Sequence, residues 1–337
     1  ETDERIALKL RDKIAKKHGA EYVSEFVENR ARMELAGVWS FVDRSGEIIS
    51  EGFTKLRNYS EGRAWGFVDR DAAMLLDESG ASVNSHTYRF DRLHDFHDGY
   101  AIAKTHDQEI WIIDKQGNTH STLDGMVLTK FGNGRAAIRN TRGDFVYINV
   151  HGQELFGKTF QSAGEFENGL ARVVKEGKIY FIDPDGKEVL GPFGVFNGFK
   201  DGVAWVKRGD EAHWTLINQK GEVLREEQFA EVDKVKSFSD GIGMTYKTNA
   251  YIFIDTQGNR VNAPQSFQKV YDYSERIVLA QDPIRKGKQF VNMQGKVIDL
   301  ESNWEPRKFN NGMCAIKRGE SDWIFLNRDL VVMKGGP

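Results

Sequence analysis

An all-β fold built from tandem repeats is what the sequence predicts, on three observations: one motif returns nine times, turn-forming residues recur in phase with it, and short aromatic and β-branched runs separate the turns. Each repeat is about 35 residues long. A unit of that size cannot bury an apolar face alone, so it must be stabilised by stacking on its neighbours.

The motif opens with an aromatic residue, at Phe26, Tyr59, Phe96, Phe131, Phe166, Phe199, Phe238, Tyr273 and Phe309, at intervals of 33 to 39 residues. Two positions on stand Glu28, Glu61, Asp98, Asn133, Asn168, Asp201, Asp240, Glu275 and Asn311, so an acid or amide fills that position every time. Glycine follows in seven copies, with Asn29 and Arg276 as the departures. Glycine and asparagine tolerate the positive φ of a tight turn, and Arg276 is the weak link. Two residues later come Ala31, Ala64, Ala101, Ala136, Ala171, Ala204, Gly243, Val278 and Cys314. Small side chains in fixed phase predict close approach between neighbouring strands or units, which makes Cys314 a buried core residue and not a reactive thiol.

A second block follows: two apolar residues, then Asp43, Asp77, Asp114, Asn149, Asp183, Asn218, Asp255, Asn292 or Asn327, then glycine three positions on, with Leu330 in place of the ninth. Runs such as Ile179-Tyr180-Phe181-Ile182 precede these residues, so the blocks read as strands ended by Asx turns. A variable link leads to the next aromatic, giving three or four strands per unit. Ahead of the array, Ile6, Leu10 and Ile14 recur every fourth residue between Asp3 and Gly19. That is one amphipathic helix, expected to cap the open edge of the first unit or to dock onto a partner. Residues 1–21 are therefore assigned to the helix, and residues 22–337 to the nine-unit array with a short C-terminal tail.

The two blocks, aromatic-x-Asp/Asn-Gly-x-Ala and apolar-apolar-Asp/Asn-x-x-Gly, resemble the WG repeat family of bacterial β-repeat proteins over residues 22 to about 331. Phe166 to Ala171 followed by Ile179 to Gly186 is the clearest copy. The Trp-Gly pair itself occurs only at Trp65-Gly66, out of register, while Trp39, Trp111, Trp214 and Trp323 fall near the start of the second strand without the glycine. The resemblance implies a non-enzymatic protein of the cell envelope, periplasmic or secreted.

Nine units fit poorly with β-propellers, which typically have four to eight blades, so an open superhelical solenoid is expected and the propeller is the alternative. Lysine and arginine number 47 against 50 acidic residues, a net charge of -3. No global field draws such a chain onto nucleic acid or an anionic membrane, and any such contact needs a local patch. No apolar stretch is long enough to span a membrane, the N-terminus lacks the apolar core of a signal peptide, and one cysteine excludes an intramolecular disulfide framework.

Phosphate-loop, nucleophile-elbow and zinc-protease motifs are lacking, so no catalytic residue, metal or cofactor is assigned. Asp183-x-Asp185-Gly186 begins like a calcium loop but lacks the downstream glutamate; His94 and His97 have an H-x-x-H spacing that can serve a metal, but Phe96 and Asp98 around them are ordinary repeat positions and no second close pair is evident. Paired carboxylates could still meet across repeats, as a hydrolase requires. The expected function is an interaction scaffold for a protein partner or a subunit of a larger assembly. The alternative is a carbohydrate-binding module, for which Trp205 and Trp304, outside the usual second-strand position, are the candidate exposed platforms.

Overall fold

The computed structural model describes residues 3–208, 213–225, 229, 232–248, 250–261, 267–282 and 284–333. One helix, Asp3–His18, precedes a succession of short antiparallel strands, each sheet a meander whose spatial order follows chain order. No sheet among the described residues closes into a barrel. The chain divides into two units, Glu1–Val189 and Leu190–Pro337.

The aromatic-x-acid-Gly motif forms two-residue hairpin turns with both central residues at positive φ, the geometry whose twist suits the flanking strands. Glu61 and Gly62 have φ of 52° and 77°, and Asp98 and Gly99 have 51° and 85°. The non-glycine copies comply: Asn29 is at 67° and Arg276 at 65°. In the second block, the side-chain oxygen of each Asp or Asn accepts the N–H groups two and four residues on, as Asp114 does from Gln116 and Asn118 and Asn292 does from Gln294 and Lys296. Leu330 takes the glycine position of the last such turn with φ 56°.

Apart from the one beneath the helix, the apolar cores of the described residues lie between one sheet and the next. In the first unit, Phe41 and Phe53 pack with Leu56, Tyr59, Ala64 and Leu76 of the following sheet. Further along, Ile102, Ile110 and Ile112 meet Phe131, Ile138 and Ile148. The second unit repeats the arrangement, with Ile277, Leu279 and Phe290 against Phe309, Cys314, Ile316 and Leu326. A strand between two such cores is buried on both faces, as all four residues of Ala64–Phe67 are.

The small residue after each hairpin turn is buried in this setting. Ala31, Ala101 and Ala136 are wholly inaccessible, and a Cβ on Gly243 would come 2.6 Å from the Phe238 ring of its own repeat. Cys314 is 1% exposed, its thiol donates to the Arg307 carbonyl at 3.0 Å, and burial pushes its pKa up to about 11.

The helix packs on the first sheet. Ile14 enters a cluster with Val23, Ala31, Met33 and Val42, Arg11 donates twice to the Val23 carbonyl, and a His18 ring nitrogen bonds the Gly46 carbonyl at 2.7 Å. Its last turn closes with Ala20 N–H to Ala15 carbonyl, the Schellman bond. Ile6 and Leu8 are each 51% exposed.

Consecutive repeats are also joined by polar bonds. The acid or amide of one hairpin turn accepts the backbone N–H of the glycine in the next: Glu28 from Gly62, Glu61 from Gly99, Asp98 from Gly134 and Asn133 from Gly169, at 2.8 to 3.2 Å. In the second unit Asp201 accepts from Gly241 and Glu275 from Gly312. Arginines just after the turns add a second row, Arg63 donating to the Lys115 carbonyl and Arg135 to that of Pro184. In these six repeats the oxygen of the acid-or-amide position is thus engaged one repeat away. We expect Glu61→Ala to lower stability in urea unfolding by about 1–2 kcal/mol and Glu61→Gln by less, since glutamine retains an acceptor. Equal losses in the two variants would remove this account.

Candidate functional site

Two concave sites stand out among the described residues, one in each unit. The first, about 650 Å³, is lined by Val68, Asp69 and Ala72 from one hairpin, Tyr88 and Arg89 from the edge strand beside it, and the Thr105 to Glu109 turn and Trp111 of the next sheet. The register explains the grouping. Ala72 and Ala73 pair with Arg89 and Tyr88, and Tyr100–Lys104 pairs with Glu109–Asp114, so the exposed turn between these last two strands overhangs the earlier edge strand.

His106 sits in that turn. Its Nε2 contacts Asp71 Oδ2 and its Nδ1 contacts Asp91 Oδ1 at 2.5 Å, while Arg89 donates to the other Asp71 oxygen at 3.0 Å. The ring thus bridges the two carboxylates. The His106 hydrogen bond, against partial desolvation and with the His106 and Arg89 charges, holds the Asp71 carboxyl below its usual range. Trp111 supplies an aromatic wall, its indole N–H donating to Glu109 at 2.9 Å. Tyr88 is anchored beneath, donating to the Gly117 carbonyl at 2.7 Å. An aromatic wall ringed by hydroxyls and charged groups is the composition that holds a polar ligand. Asp71 and Asp91 are brought together, but the His106 ring occupies the space between them that a reacting oxygen would need.

The second recess, about 200 Å³, lies between two sheets of the second unit and is lined by Lys234, Lys236, Met244, Thr245, Tyr246, Tyr251, Tyr271 and Asp272 among others. Lys234, Tyr246 and Tyr251 form a row, because Lys234 pairs with Tyr246 and Tyr246 with Tyr251 across three antiparallel strands. Tyr271 occupies a register shift between Val270 and Asp272, a bulge of the kind that re-aims a side chain, and it is 38% exposed.

The expected aromatic platforms are corrected. Trp205 is 1% exposed, edge-on to Phe229 at 5.0 Å, with its N–H donated to the Lys236 carbonyl. It follows Ala204, as Trp65 follows Ala64, in a strand covered on both faces, so the position that sets these two apart from the second-strand tryptophans is a buried one. Trp304 is half-buried against the core of Leu300, Phe309 and Cys314. The most exposed of the repeat tryptophans is instead Trp323, at 39%, beneath the Arg307 guanidinium.

Asp183 accepts from Asp185 and Lys187 N–H groups in an ordinary Asx turn. Burial, aided by the Arg57 charge, lowers the His94 pKa. Among the described residues no group of three or more His, Cys, Asp or Glu side chains is arranged to hold a metal ion, and no described helix is long and apolar enough to cross a membrane.

The molecule is thus a β-repeat protein whose consecutive antiparallel sheets bury their cores against one another. The family model described as WG containing repeat matches residues 39–65 and 147–178, so the resemblance read from the turns holds in those segments. A comparison with curated proteins found no match. Among solved structures the chain is similar to a computationally designed protein, Ika8, at 14% identity and TM-score 0.36, over 82% of this chain and 93% of that one. It is similar to BamB from Moraxella catarrhalis at 10% identity and TM-score 0.35, over 82% and 94%. A eukaryotic initiation factor is similar at 13% identity and TM-score 0.43, over 81% and 85%.

Proposed function

We propose that the chain is a non-enzymatic repeat scaffold that holds a protein partner or serves as a subunit of a larger assembly. One observation carries this reading: the recurrent acids, which in another setting would be candidates for chemistry, are spent on structure. Glu28, Glu61, Asp98, Asp201 and Glu275 bond the next turn's N–H, and Asp43, Asp77, Asp114, Asp183 and Asp255 each accept two backbone N–H groups within their own turns. A rigid array with its turns clamped in register presents side chains at fixed spacing, which favours binding by reducing the ordering cost. The nine motif copies support an open stack in preference to a propeller ring.

The reading is tested by isolating the chain from its native extract under mild cross-linking, with light scattering for mass and small-angle scattering for shape. A complex of fixed stoichiometry and an elongated free chain are the expected results. A strictly monomeric chain that co-isolates with nothing would remove the scaffold reading, and a compact ring profile would remove the open stack.

A further inference from the structure

We propose that the recess around Tyr246, Tyr251 and Tyr271 binds an anionic polysaccharide through the carboxylate or sulfate groups of its sugars. Four lysines surround these rings. Lys234 Nζ lies 5.9 Å from the Tyr246 ring centre, Lys269 and Lys288 each place Nζ 4.9 Å from that of Tyr271, and Lys236 lines the same recess. All four are exposed. Among the described residues none is in an ion pair, and the one carboxylate lining the recess, Asp272, is engaged from the side by Lys308 at 3.6 Å. An ammonium over an aromatic face keeps its full charge and its N–H donors, so the rings hold the lysines together without neutralising them.

The overall charge of -3 makes this concentration local, which is the condition under which such a chain can attract a polyanion at all. The details favour a polysaccharide over nucleic acid. Sequence-tolerant binding of single strands relies on bases stacking on open aromatic faces. Here ammonium groups lie over Tyr271 and Tyr246, and the Tyr246 and Tyr251 rings are 4.7 Å apart, packed on each other. What is left for a ligand is charge and hydrogen-bond donors around a recess of about 200 Å³, below the roughly 300–1,000 Å³ of a site that encloses a whole small molecule. It suits one acidic sugar of a longer chain. The inference is independent of the scaffold reading, since a chain that binds polysaccharide as a lone monomer would support the one and count against the other.

The test is fluorescence anisotropy with labelled polygalacturonate, heparin, neutral dextran and single-stranded oligothymidylate, on the full chain. Binding to polygalacturonate, heparin or both is expected, weakening with added salt, with none to dextran. The two anionic probes distinguish carboxylate from sulfate recognition. Lys269→Glu with Lys288→Glu should weaken binding about tenfold or more by replacing attraction with repulsion. Lys13→Glu with Lys16→Glu, the same charge change on the exposed face of the helix, should leave it unchanged. Should the first pair fail to fold by circular dichroism, Lys234→Gln with Lys236→Gln gives the same reading. Equal affinity in site and helix variants, no binding to either anionic polysaccharide, or tighter binding to oligothymidylate than to both would overturn the proposal.

Discussion

Replacing Trp65 by alanine is expected to lower stability by about 3–5 kcal/mol, the range for deleting a large buried aromatic side chain. Trp65 has no exposed surface. Its ring stacks on Phe96 at 6.1 Å and meets Tyr88 and Phe90 edge-on at 5.5 Å, so it spans the core between its own sheet and the next. In an array stabilised by nearest-neighbour contacts, removing such a ring weakens two sheets at once. Hydrogen exchange should therefore quicken first in Ala64–Phe67 and Tyr100–Lys104, with urea unfolding giving the magnitude. The indole N–H of Trp65 has no hydrogen-bond partner in its buried site. Trp65→Phe removes that orphaned donor with part of the ring, and its cost should stay below about 2 kcal/mol. Trp323→Ala, at a half-exposed ring, should cost about 1 kcal/mol or less on area grounds. If Trp65→Ala is no worse than Trp323→Ala, the cores between sheets are not what holds the repeats together.

That contrast marks where the sequence was informative and where it was not. Turn chemistry is local, so the hairpin turns at Glu61-Gly62 and Asp98-Gly99 and the Asx turns at Asp114 and Asn292 were legible from residue type and spacing alone. Burial of a strand on both faces is not local. Nothing local to Ala204-Trp205 or Ala64-Trp65 marks it, and only the stacking of a second sheet over the outer face makes Trp205 a core residue. The staple from Glu61 to Gly99 N–H escaped notice because the acid's partner lies 38 residues away. Its signal was nevertheless present: glycine yielded to Asn29 and Arg276, while the acid-or-amide position never yielded. The His106 cluster had no such signal, since Asp71, Asp91 and His106 lie outside the repeated motif and meet only through the register of two sheets. The lysine and tyrosine row was within reach, because Lys234, Tyr246 and Tyr251 become neighbours once the two hairpin registers are drawn.

Gly132→Ala is expected to destabilise the chain by about 3 kcal/mol or more, the upper range for forcing extra volume into a packed contact. Gly132 does not have positive φ, and its need for glycine is spatial: a Cβ there would lie 1.9 Å from the backbone carbonyl oxygen of Phe166, the opening aromatic of the next repeat. A backbone oxygen cannot swing aside as a side chain does, so the two repeats must separate, and the bond from Gly169 N–H to Asn133 at 3.2 Å would be strained with them. The equivalent position one pair of repeats earlier is Ser60, whose hydroxyl donates to the Phe96 carbonyl at 2.6 Å. The same carbonyl is thus met by a hydrogen bond at one junction and by bare backbone contact at another. Gly134, two residues on, provides the control: nothing lies within 4 Å of an added Cβ, but its φ is 73°. Gly134→Ala should cost only the left-handed backbone penalty of about 1–2 kcal/mol, and Gly134→Asn less, as Asn29 holds the corresponding place at φ 67°. Thermal and urea unfolding of the three variants should rank them in that order, with Gly132→Ala the most damaging. A Gly132→Ala protein as stable as Gly134→Asn would mean that these repeats are not in backbone contact at this junction.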